Sequence, residues 1–408
     1  MKKIFFLNPA SIAVALVFLV TSVLVTSCNP DSDPSSLTIT CTDIDNETVW
    51  ADRGDEVADY ILDCEITLNA KLTIEPGVVI LCGSGSGITI GNSGTLVASG
   101  TSEKPIILKS DSDIPGVWKG LYFKSNDVLN ELNYCQILNA GSGSFDGNTT
   151  KVANIRVALD AKVKITNSTI SKSGKDGILV DGFDSDELNP ISVFSSNVFE
   201  NNQNYPISAI GTLGNVMDGT GSTFTGNVHN KVLMRGGRLV GNHTWQKLNV
   251  PYLVQDILSA GYYSSDGNLT IEPGTVIEFA ADAGICSGDY ATGSWLKIIG
   301  TSTERITLTG ETAAPGAWKG IAFQSLSSNN QISYADISYG GSSSFTGNTS
   351  QVGNIRAGAW SAGSFTIDNA TVSNSAAYGI YVTMPSPTII VPGSVIYSGN
   401  ASGDYFQE

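Results

Sequence analysis

The sequence predicts an all-β protein, a right-handed parallel β-helix (solenoid) built from two duplicated halves. Three observations support this fold class. Motifs of the first half recur in the second, and short β-prone runs recur at the spacing of one solenoid coil. The composition, with 44 glycines and 8% aromatic residues, is typical of strands joined by tight turns rather than of helices.

The duplication consists of four segments that recur in constant order, 197 to 200 residues later. The matched pairs are residues 72–77 with 269–274, 115–120 with 315–320, 144–149 with 344–349, and 154–156 with 354–356. Four matches in one order indicate an internal repeat, because chance similarity would not preserve both order and spacing. The two copies cover roughly residues 72–182 and 269–383.

Within each copy, an apolar residue followed three positions later by Asn or Ser recurs at the spacing of one coil. Ile170, Phe199 and Phe224 begin three such units, 29 and 25 residues apart. One coil cannot bury its apolar side chains alone, so we expect successive coils to stack and these residues to line up inside. Asn suits the corners because it tolerates left-handed backbone. An array of β-sandwiches would also contain short strands, but it does not explain this spacing.

The first residues have the three-part layout of a secretory signal. Two lysines precede an apolar run that ends at Val25, and Val25-Thr26-Ser27-Cys28 resembles a lipobox, the motif at which lipoprotein signals are cleaved. The sequence therefore predicts a signal peptide over residues 1–27, lipidation of Cys28 and a polar tether over residues 28–40. A membrane-spanning helix is the alternative, although the run ends in small residues rather than a basic flank.

On this interpretation the protein is an outer-membrane lipoprotein of a Gram-negative-type envelope, exposed at the cell surface and held to the lipid bilayer through acylated Cys28. The rest of the chain divides into an amino-terminal cap (residues 41–71), the first copy with its connection (residues 72–245), and the second copy with a carboxy-terminal cap (residues 246–408).

The coil spacing and the two Pro-Gly-x-Trp-x-Gly segments give the chain a family resemblance over about residues 68–397. It resembles the pectin-lyase-like superfamily of right-handed parallel β-helices, and in particular the bacterial β-helix lipoproteins that carry this segment. The resemblance implies the fold. It leaves the activity open, since this fold serves lyases, hydrolases, adhesins and inert spacers.

The net charge of −16 argues against nucleic acid as a partner, because phosphate binding needs clustered lysines and arginines. Removal of residues 1–27 would take away two lysines and no acidic residue, leaving 20 basic and 38 acidic residues, a charge of −18. Such a surface suits a protein that stays soluble beside anionic lipid.

Five cysteines remain if Cys28 is lipidated. Cys41 and Cys64 flank the start of the repeat region, where a disulfide would staple the amino-terminal cap in an oxidising compartment. The alternative is that all five are small apolar core residues. The sequence contains no Cys-x-x-Cys pair, so it does not indicate a zinc or thiol-redox site.

The copies differ in charge at one place. The aligned part of the second copy is uncharged where the first copy carries two lysines and a run of carboxylates. These residues are Lys172, Lys175, Asp176, Asp181, Asp184, Asp186 and Glu187. Alternate carboxylates in a loop can hold calcium, and the lysines can meet an acidic sugar. The alternative is a solvated acidic turn, because the glycine of an EF-type loop is missing. We expect no required cofactor, with Ca²⁺ as the one candidate ion.

Trp118 and Trp318 recur at equivalent places in the two copies. If exposed, each would form a platform for stacking a sugar ring. The alternative is structural: Pro-Gly turns the coil and the indole covers its corner. We interpret the repeated Asn154-Ile155-Arg156 segment as a buried ladder with a paired arginine.

No catalytic constellation is evident in the sequence. It lacks an Asp-Asp pair and an Arg-x-Pro-x-x-Arg segment, and we interpret His229 and His243 as exposed loop residues. The favoured hypothesis is a non-enzymatic envelope lipoprotein that presents a surface to a glycan or another surface protein. A polysaccharide lyase or glycoside hydrolase, acting on an acidic glycan at residues 181–187, is the first alternative; a structural spacer is the second.

Overall fold

Strands of two to six residues form nearly all the regular structure of this protein. The computed structural model describes residues 36–54, 57–182, 189–219, 221–289, 291–348, 350–358, 361–383 and 394–408. Within these residues the one helix is a 3₁₀ turn, Gly211–Asn215, and no helix has the length and apolar character needed to cross a membrane. Alternation explains the strands: in Lys71–Ile74 the side chains of Leu72 and Ile74 are buried and their neighbours are half-exposed.

The strands of the described residues form five sheets. The central sheet contains Glu65–Leu68, Gly87–Ile90, Gly120–Phe123, Ala153–Val157, Asp176–Val180, Ile207–Ala209, Val232–Met234, Tyr252–Val254, Val276–Phe279, Ile306–Gly310, Ala335–Ser338, Thr371–Ser373 and Ile396–Ser398. Sheet 1 contains Leu37–Thr38, Tyr60–Leu62, Val79–Cys82, Ile106–Lys109, Cys135–Leu138, Thr169–Ser171, Val198–Glu200 and Thr223–Thr225. Sheet 2 contains Thr48–Trp50, Lys71–Ile74, Thr95–Ser99, Glu131–Asn133, Val163–Thr166 and Ile191–Ser195.

The other two sheets belong to the carboxy-terminal half. Sheet 3 contains Gly237–Leu239, Ile257–Tyr262, Gly284–Asp289, Gly320–Phe323, Gly353–Ala357, Tyr378–Val382 and Gly403–Gln407. Sheet 4 contains Gly241–Trp245, Gly267–Ile271, Trp295–Ile299, Gln331–Ser333 and Thr366–Asp368. Neighbouring strands in all five sheets pair in parallel, and each comes from the next coil of the chain. The molecule is therefore the all-β parallel β-helix that the sequence predicts.

The stacking of apolar residues one coil apart is confirmed. Ile170 pairs with Phe199 and Phe199 pairs with Phe224 in sheet 1, and all three belong to one buried cluster that runs through both copies. The phenyl rings of Phe199 and Phe224 are stacked, with centroids 5.3 Å apart. Such face-to-face ladders bury each apolar residue against its counterpart in the next coil.

Asn side chains form a second ladder at the coil corners, and the left-handed backbone predicted there lies one residue earlier, at Asn201 and Gly399. The Asn202 side-chain oxygen accepts a hydrogen bond from the Ser173 backbone N–H at 3.0 Å, and its amide nitrogen donates to the Asn227 side-chain oxygen at 2.8 Å. Asn400 repeats the arrangement in the second copy by accepting from the Ser375 N–H at 3.1 Å. These bonds satisfy backbone groups that a corner would otherwise leave unpaired.

The second copy is displaced by one sheet around the solenoid relative to the first. Gly120–Phe123 lies in the central sheet, whereas its counterpart Gly320–Phe323 lies in sheet 3. Likewise Ile106–Lys109 lies in sheet 1, whereas Ile306–Gly310 lies in the central sheet. Equivalent residues of the two copies therefore do not share one face of the molecule.

Two sequence-based predictions are decided by the fold. Cys41 and Cys64 form a disulfide, so the predicted staple of the amino-terminal cap is confirmed. The hypothesis that Trp118 and Trp318 are exposed and stack on sugar rings is wrong, and its structural alternative is confirmed, because both side chains are 0% exposed. Each indole N–H donates to a backbone carbonyl at 2.8 Å, so the rings fill coil corners from the inside.

Candidate functional site

A buried arginine organises the outer face of the central sheet in the first copy. The Arg156 side chain is 2% exposed, and its Nε donates to both carboxylate oxygens of Asp181, at 3.1 and 3.2 Å. Its Nη2 donates to Asp146 at 2.7 Å, and the guanidinium lies 4.2 Å from the ring centroid of Tyr122. The Arg156 guanidinium also lowers the pKa of Asp146 to about 2. The predicted paired arginine is thereby confirmed.

A groove of about 440 Å³ lies next to this arginine. Its floor consists of Leu179, Ser208 and Leu233, which occupy the same outward register position on three consecutive strands of the central sheet. Two of these three side chains are apolar. A floor of this kind suits the C–H face of a sugar ring.

Polar side chains line the groove at both ends of these strands. Asp176, Asn204 and Tyr205 lie at the amino ends, and Asp181 and Arg235 follow the carboxyl ends. The loop residues Asn148, Thr150 and Lys151 line the groove next to Asp181, and Gly182 and Gln255 also contribute to the lining. Hydroxyl-rich ligands are held by this kind of mixture of donors, acceptors and one aromatic ring.

Asp176 is the most perturbed carboxyl group of the groove. Its side chain is 5% exposed, and burial raises its pKa to about 6. Its oxygen accepts hydrogen bonds from Asn204 Nδ2 at 2.7 Å and from the Tyr205 backbone N–H at 3.2 Å. The carboxyl group is therefore partly protonated near neutral pH, a property that general acids share.

Arg235 fixes the opposite end of the groove. Its Nη1 donates to Ser208 Oγ at 2.9 Å, and its Nη2 donates to the carbonyl oxygens of Val180 and Gly182. Burial lowers its pKa. The Arg235 guanidinium thus connects its own coil to the two preceding coils by hydrogen bonds.

The structure brings only part of the predicted acidic site together. Asp181 lines the groove. Its carboxylate lies 3.4 Å from Lys151 Nζ and also accepts the hydrogen bonds from Arg156 described above. Lys175 lies beside the same loop and donates to the Thr149 carbonyl at 3.2 Å. Lys172 is ion-paired with Asp113 and does not line the groove.

The remaining predicted site residues, Cys28, Asp184, Asp186 and Glu187, lie outside the described residues. Lipidation and calcium binding by the acidic loop therefore stay predictions. In the part of the chain that the structure describes, no three His, Cys, Asp or Glu side chains group as a metal site would require.

The expectation that both histidines are exposed is correct for one of them. His229 is exposed and stacks on Tyr205, with ring centroids 4.7 Å apart. His243 is 6% exposed and bonds to the Val240 carbonyl oxygen at 2.8 Å, so its placement in an exposed loop was wrong. Its strand, Gly241–Trp245, alternates inward and outward residues, and His243 points inward.

Sequence reasoning did not identify Lys151, Asn204, Tyr205 or Arg235. They occupy loops or positions just outside strands, and no motif marks them. One signal exists: Asp181 and Arg235 each directly follow a strand of the central sheet, so an alignment of coils would have placed both at one edge.

A second cavity, of about 490 Å³, opens at the amino-terminal end of the solenoid. Its lining includes Leu37, Ile39, Ile44, Val49 and Trp50. The charged residues of its lining are two carboxylates, Asp43 and Asp45, whereas the groove lining combines Asp176 and Asp181 with Lys151 and Arg235. We therefore place the candidate site at the groove.

Comparison with known proteins adds no assignment to this geometry. No protein-family model matches the chain, and no curated protein and no solved structure matches it.

Proposed function

We propose that this protein is a lipid-anchored envelope protein whose β-helix binds a glycan in the groove of the central sheet, without cleaving it. The observation that supports this proposal is the groove itself, with an apolar floor of Leu179 and Leu233 between polar ends. Sugars present both apolar C–H faces and hydroxyl groups, so they need both kinds of contact. Another surface protein is the other partner that such a surface would suit.

The proposal places the protein at the outer membrane of a Gram-negative-type envelope, facing outward. It assigns the fold to the pectin-lyase-like superfamily on the strength of the coil spacing and the Pro-Gly-x-Trp-x-Gly segments. The polar stretch after Cys28 would act as the tether between bilayer and solenoid.

Glycan binding in the groove predicts that Lys151→Ala and Tyr205→Ala each weaken binding at least fivefold. Both side chains line the groove, so their removal takes away a charged donor and a ring face. A glycan array identifies a ligand, and titration calorimetry with the wild type and the variants measures its affinity. Lys164→Ala is the matched control, because this lysine lies on sheet 2, away from the groove.

An array without a bound glycan would contradict the proposal. An equal loss of affinity in Lys164→Ala and Lys151→Ala would also contradict it, since only a nonspecific charge effect would treat the two lysines alike.

Lipidation predicts that Cys28→Ala prevents attachment of labelled palmitate and moves the protein from the membrane fraction to the soluble fraction. Two or more acyl chains hold a protein stably on a bilayer, and their loss removes that anchor. Metabolic labelling and fractionation measure both effects. A Cys28→Ala variant that stays labelled and membrane-bound would show that another segment provides the anchor.

A glycoside hydrolase or lyase acting on an acidic glycan is the second candidate, and the raised pKa of Asp176, about 6, favours it. A carboxyl group with such a pKa can donate a proton to a leaving group at neutral pH. Release of reducing or unsaturated sugars by the wild type, together with its loss in Asp176→Asn at unchanged affinity, would establish catalysis and overturn the binding-only proposal.

A further inference from the structure

Sheet 1 carries an apolar outer face in the amino-terminal half of the solenoid. Four consecutive strands of this sheet have apolar side chains at outward positions: Ile61, Val79, Leu81, Ile107 and Leu138. Ile61 pairs in register with Leu81, and Val79 pairs with Ile107, so these side chains are direct neighbours on the sheet. Each of the five stays partly exposed, and a patch of this kind is typical of an interaction surface.

The second copy does not keep this apolar character. Its equivalent strands lie in the central sheet and carry three polar replacements: Glu278 for Leu81, Thr307 for Ile107 and Ser338 for Leu138. Inward residues such as Leu108 and Leu308, by contrast, are apolar and buried in both copies. The solenoid core therefore does not require apolar residues on the outer face. Their presence in the first copy points to a contact outside the coil.

The charges on and around this face match a zwitterionic phospholipid. Lys109 is the one charged residue at the outward positions of these four strands. A lysine stem can lie along apolar side chains while its ammonium group reaches a lipid phosphate. Asp63 and Asp111 follow two of the strands at the edge of the face, and both are exposed. Their carboxylates suit the cationic group of a zwitterionic headgroup and disfavour a strongly anionic surface.

The place where the chain enters the solenoid favours a bilayer as the partner of this face. Ser36 directly precedes Leu37–Thr38, the first strand of sheet 1. From residue 28 to residue 36 is eight residues, so an extended tether spans at most about 28 Å. Strand Ile106–Lys109 lies three strand spacings, about 14 Å, from Leu37–Thr38. An acyl chain on Cys28 would therefore keep the face within reach of the membrane, at a high local concentration.

We propose that the apolar outer face of sheet 1 docks on the bilayer that holds the acyl anchor, with zwitterionic phospholipid as its ligand. This proposal rests on the proposed lipidation of Cys28, since a face of so few side chains needs the local concentration that the anchor provides. Docking through sheet 1 lays the solenoid along the membrane. The groove lies on the central sheet, a different face of the coil, so it stays accessible.

Spin-label accessibility in the acylated full-length protein, reconstituted in vesicles of phosphatidylethanolamine and phosphatidylcholine, tests the proposal. A label at Gln136→Cys lies next to Ile107 on the face and removes none of its apolar side chains. A label at Thr309→Cys reports on the equivalent face of the second copy. We expect a water-soluble nickel reagent to collide with the label at residue 136 at least fivefold less often than with the label at residue 309. The free cysteines of the described residues are buried and should stay unlabelled.

The double variant Leu81→Glu with Ile107→Thr gives the face two residues of the second copy. The coil accepts these residues at the equivalent positions 278 and 307, so we expect the variant to fold. It should raise the collision frequency at residue 136 at least fivefold, while palmitate labelling and flotation with the vesicles stay unchanged. Thr73→Glu with Val97→Thr is the matched control. These two residues are neighbours on the outer face of sheet 2, and their replacement should leave residue 136 shielded.

Three outcomes would overturn the proposal while leaving the anchor intact. They are equal collision frequencies at residues 136 and 309, an unchanged frequency in the double variant of sheet 1, and strong magnetic coupling between labels at residue 136 of two molecules. The last would show that a second copy of the chain covers the face. A wild type that neither takes up palmitate nor floats with vesicles would instead refute the anchor, and the docking proposal would fall with it. Lys151→Ala should not alter the shielding, so a failure of glycan binding in the groove is distinguishable from a failure of docking.

Discussion

Replacement of Phe199 by Ala is expected to reduce the free energy of unfolding by about 3–5 kcal/mol. Phe199 is 0% exposed, and its ring lies between those of Phe194 and Phe224, at 5.8 and 5.3 Å. Loss of the ring removes both contacts and leaves a cavity that the neighbouring coils cannot fill without breaking their register. Chemical denaturation of the wild type and the variant measures the difference.

Val193→Ala is the matched control for this substitution. Val193 lies on the outer face of sheet 2 and is 44% exposed, so its truncation should change the free energy of unfolding by less than about 0.5 kcal/mol. A loss below about 1 kcal/mol for Phe199→Ala would contradict the stacking of Phe194, Phe199 and Phe224 in one core.

Replacement of Asp181 by Asn is expected to have an effect of similar size, a loss of about 3–5 kcal/mol, because it leaves the buried Arg156 guanidinium with one carboxylate instead of two. The Asp181 side chain is itself mostly buried, at 11% exposure, and it also accepts a hydrogen bond from the Tyr122 hydroxyl at 3.3 Å. Thermal and chemical denaturation measure the loss.

Thr383→Asn is the control, because the Thr383 N–H donates to the Ala357 carbonyl oxygen at 2.9 Å, as the Asp181 N–H donates to the Val157 carbonyl oxygen at 2.8 Å. Thr383 therefore holds the equivalent backbone position in the second copy, and its hydroxyl has no hydrogen-bond partner among the described residues, so we expect stability to change little. An equal loss in Asp181→Asn and Thr383→Asn would mean that the position, and not the charge, determines the effect.

The pairing of Asp146 with Arg156 makes the stability of the protein depend on pH. The pKa of Asp146 is lowered from 3.8 to about 2, so its contribution is present above pH 4 and is lost as the pH falls through 2.

The solenoid could be predicted from sequence because residues of the same type recur one coil apart. The apolar residue and the Asn three positions later, as in Phe199 and Asn202, form the inner ladder and the corner ladder. Each coil meets the same requirement as the next, so spacing alone reveals the stacking.

The displacement of the second copy by one sheet could not be predicted in this way. A duplication shows that Lys109 and Thr309 are equivalent, but not that they lie in different sheets. That difference arises between the copies, where the 3₁₀ helix Gly211–Asn215 follows a strand of the central sheet and sheets 3 and 4 begin soon afterwards. The segment between the copies contains no repeat, so the sequence does not predict which sheet its strands join.

The candidate site was only partly predictable because its residues are far apart in sequence. Asp146, Arg156 and Asp181 meet across 10 and 25 residues, a relation that depends on coil register. The sugar-stacking prediction for Trp118 failed for another reason. A repeated tryptophan suits a surface platform and a coil corner equally well, and only its complete burial distinguishes the two.

The central claim is that both copies form one continuous solenoid, with the second displaced by one sheet. Electron paramagnetic resonance on spin labels at Thr89→Cys and Thr309→Cys tests it most directly. Both residues point outward on the central sheet, eight strand steps apart. We expect one narrow distance of about 38 Å between the two labels, at about 4.8 Å per strand. A broad distribution, or a distance far from this value, would contradict it, since separate β-domains in a row or copies with aligned faces would place Thr309 elsewhere.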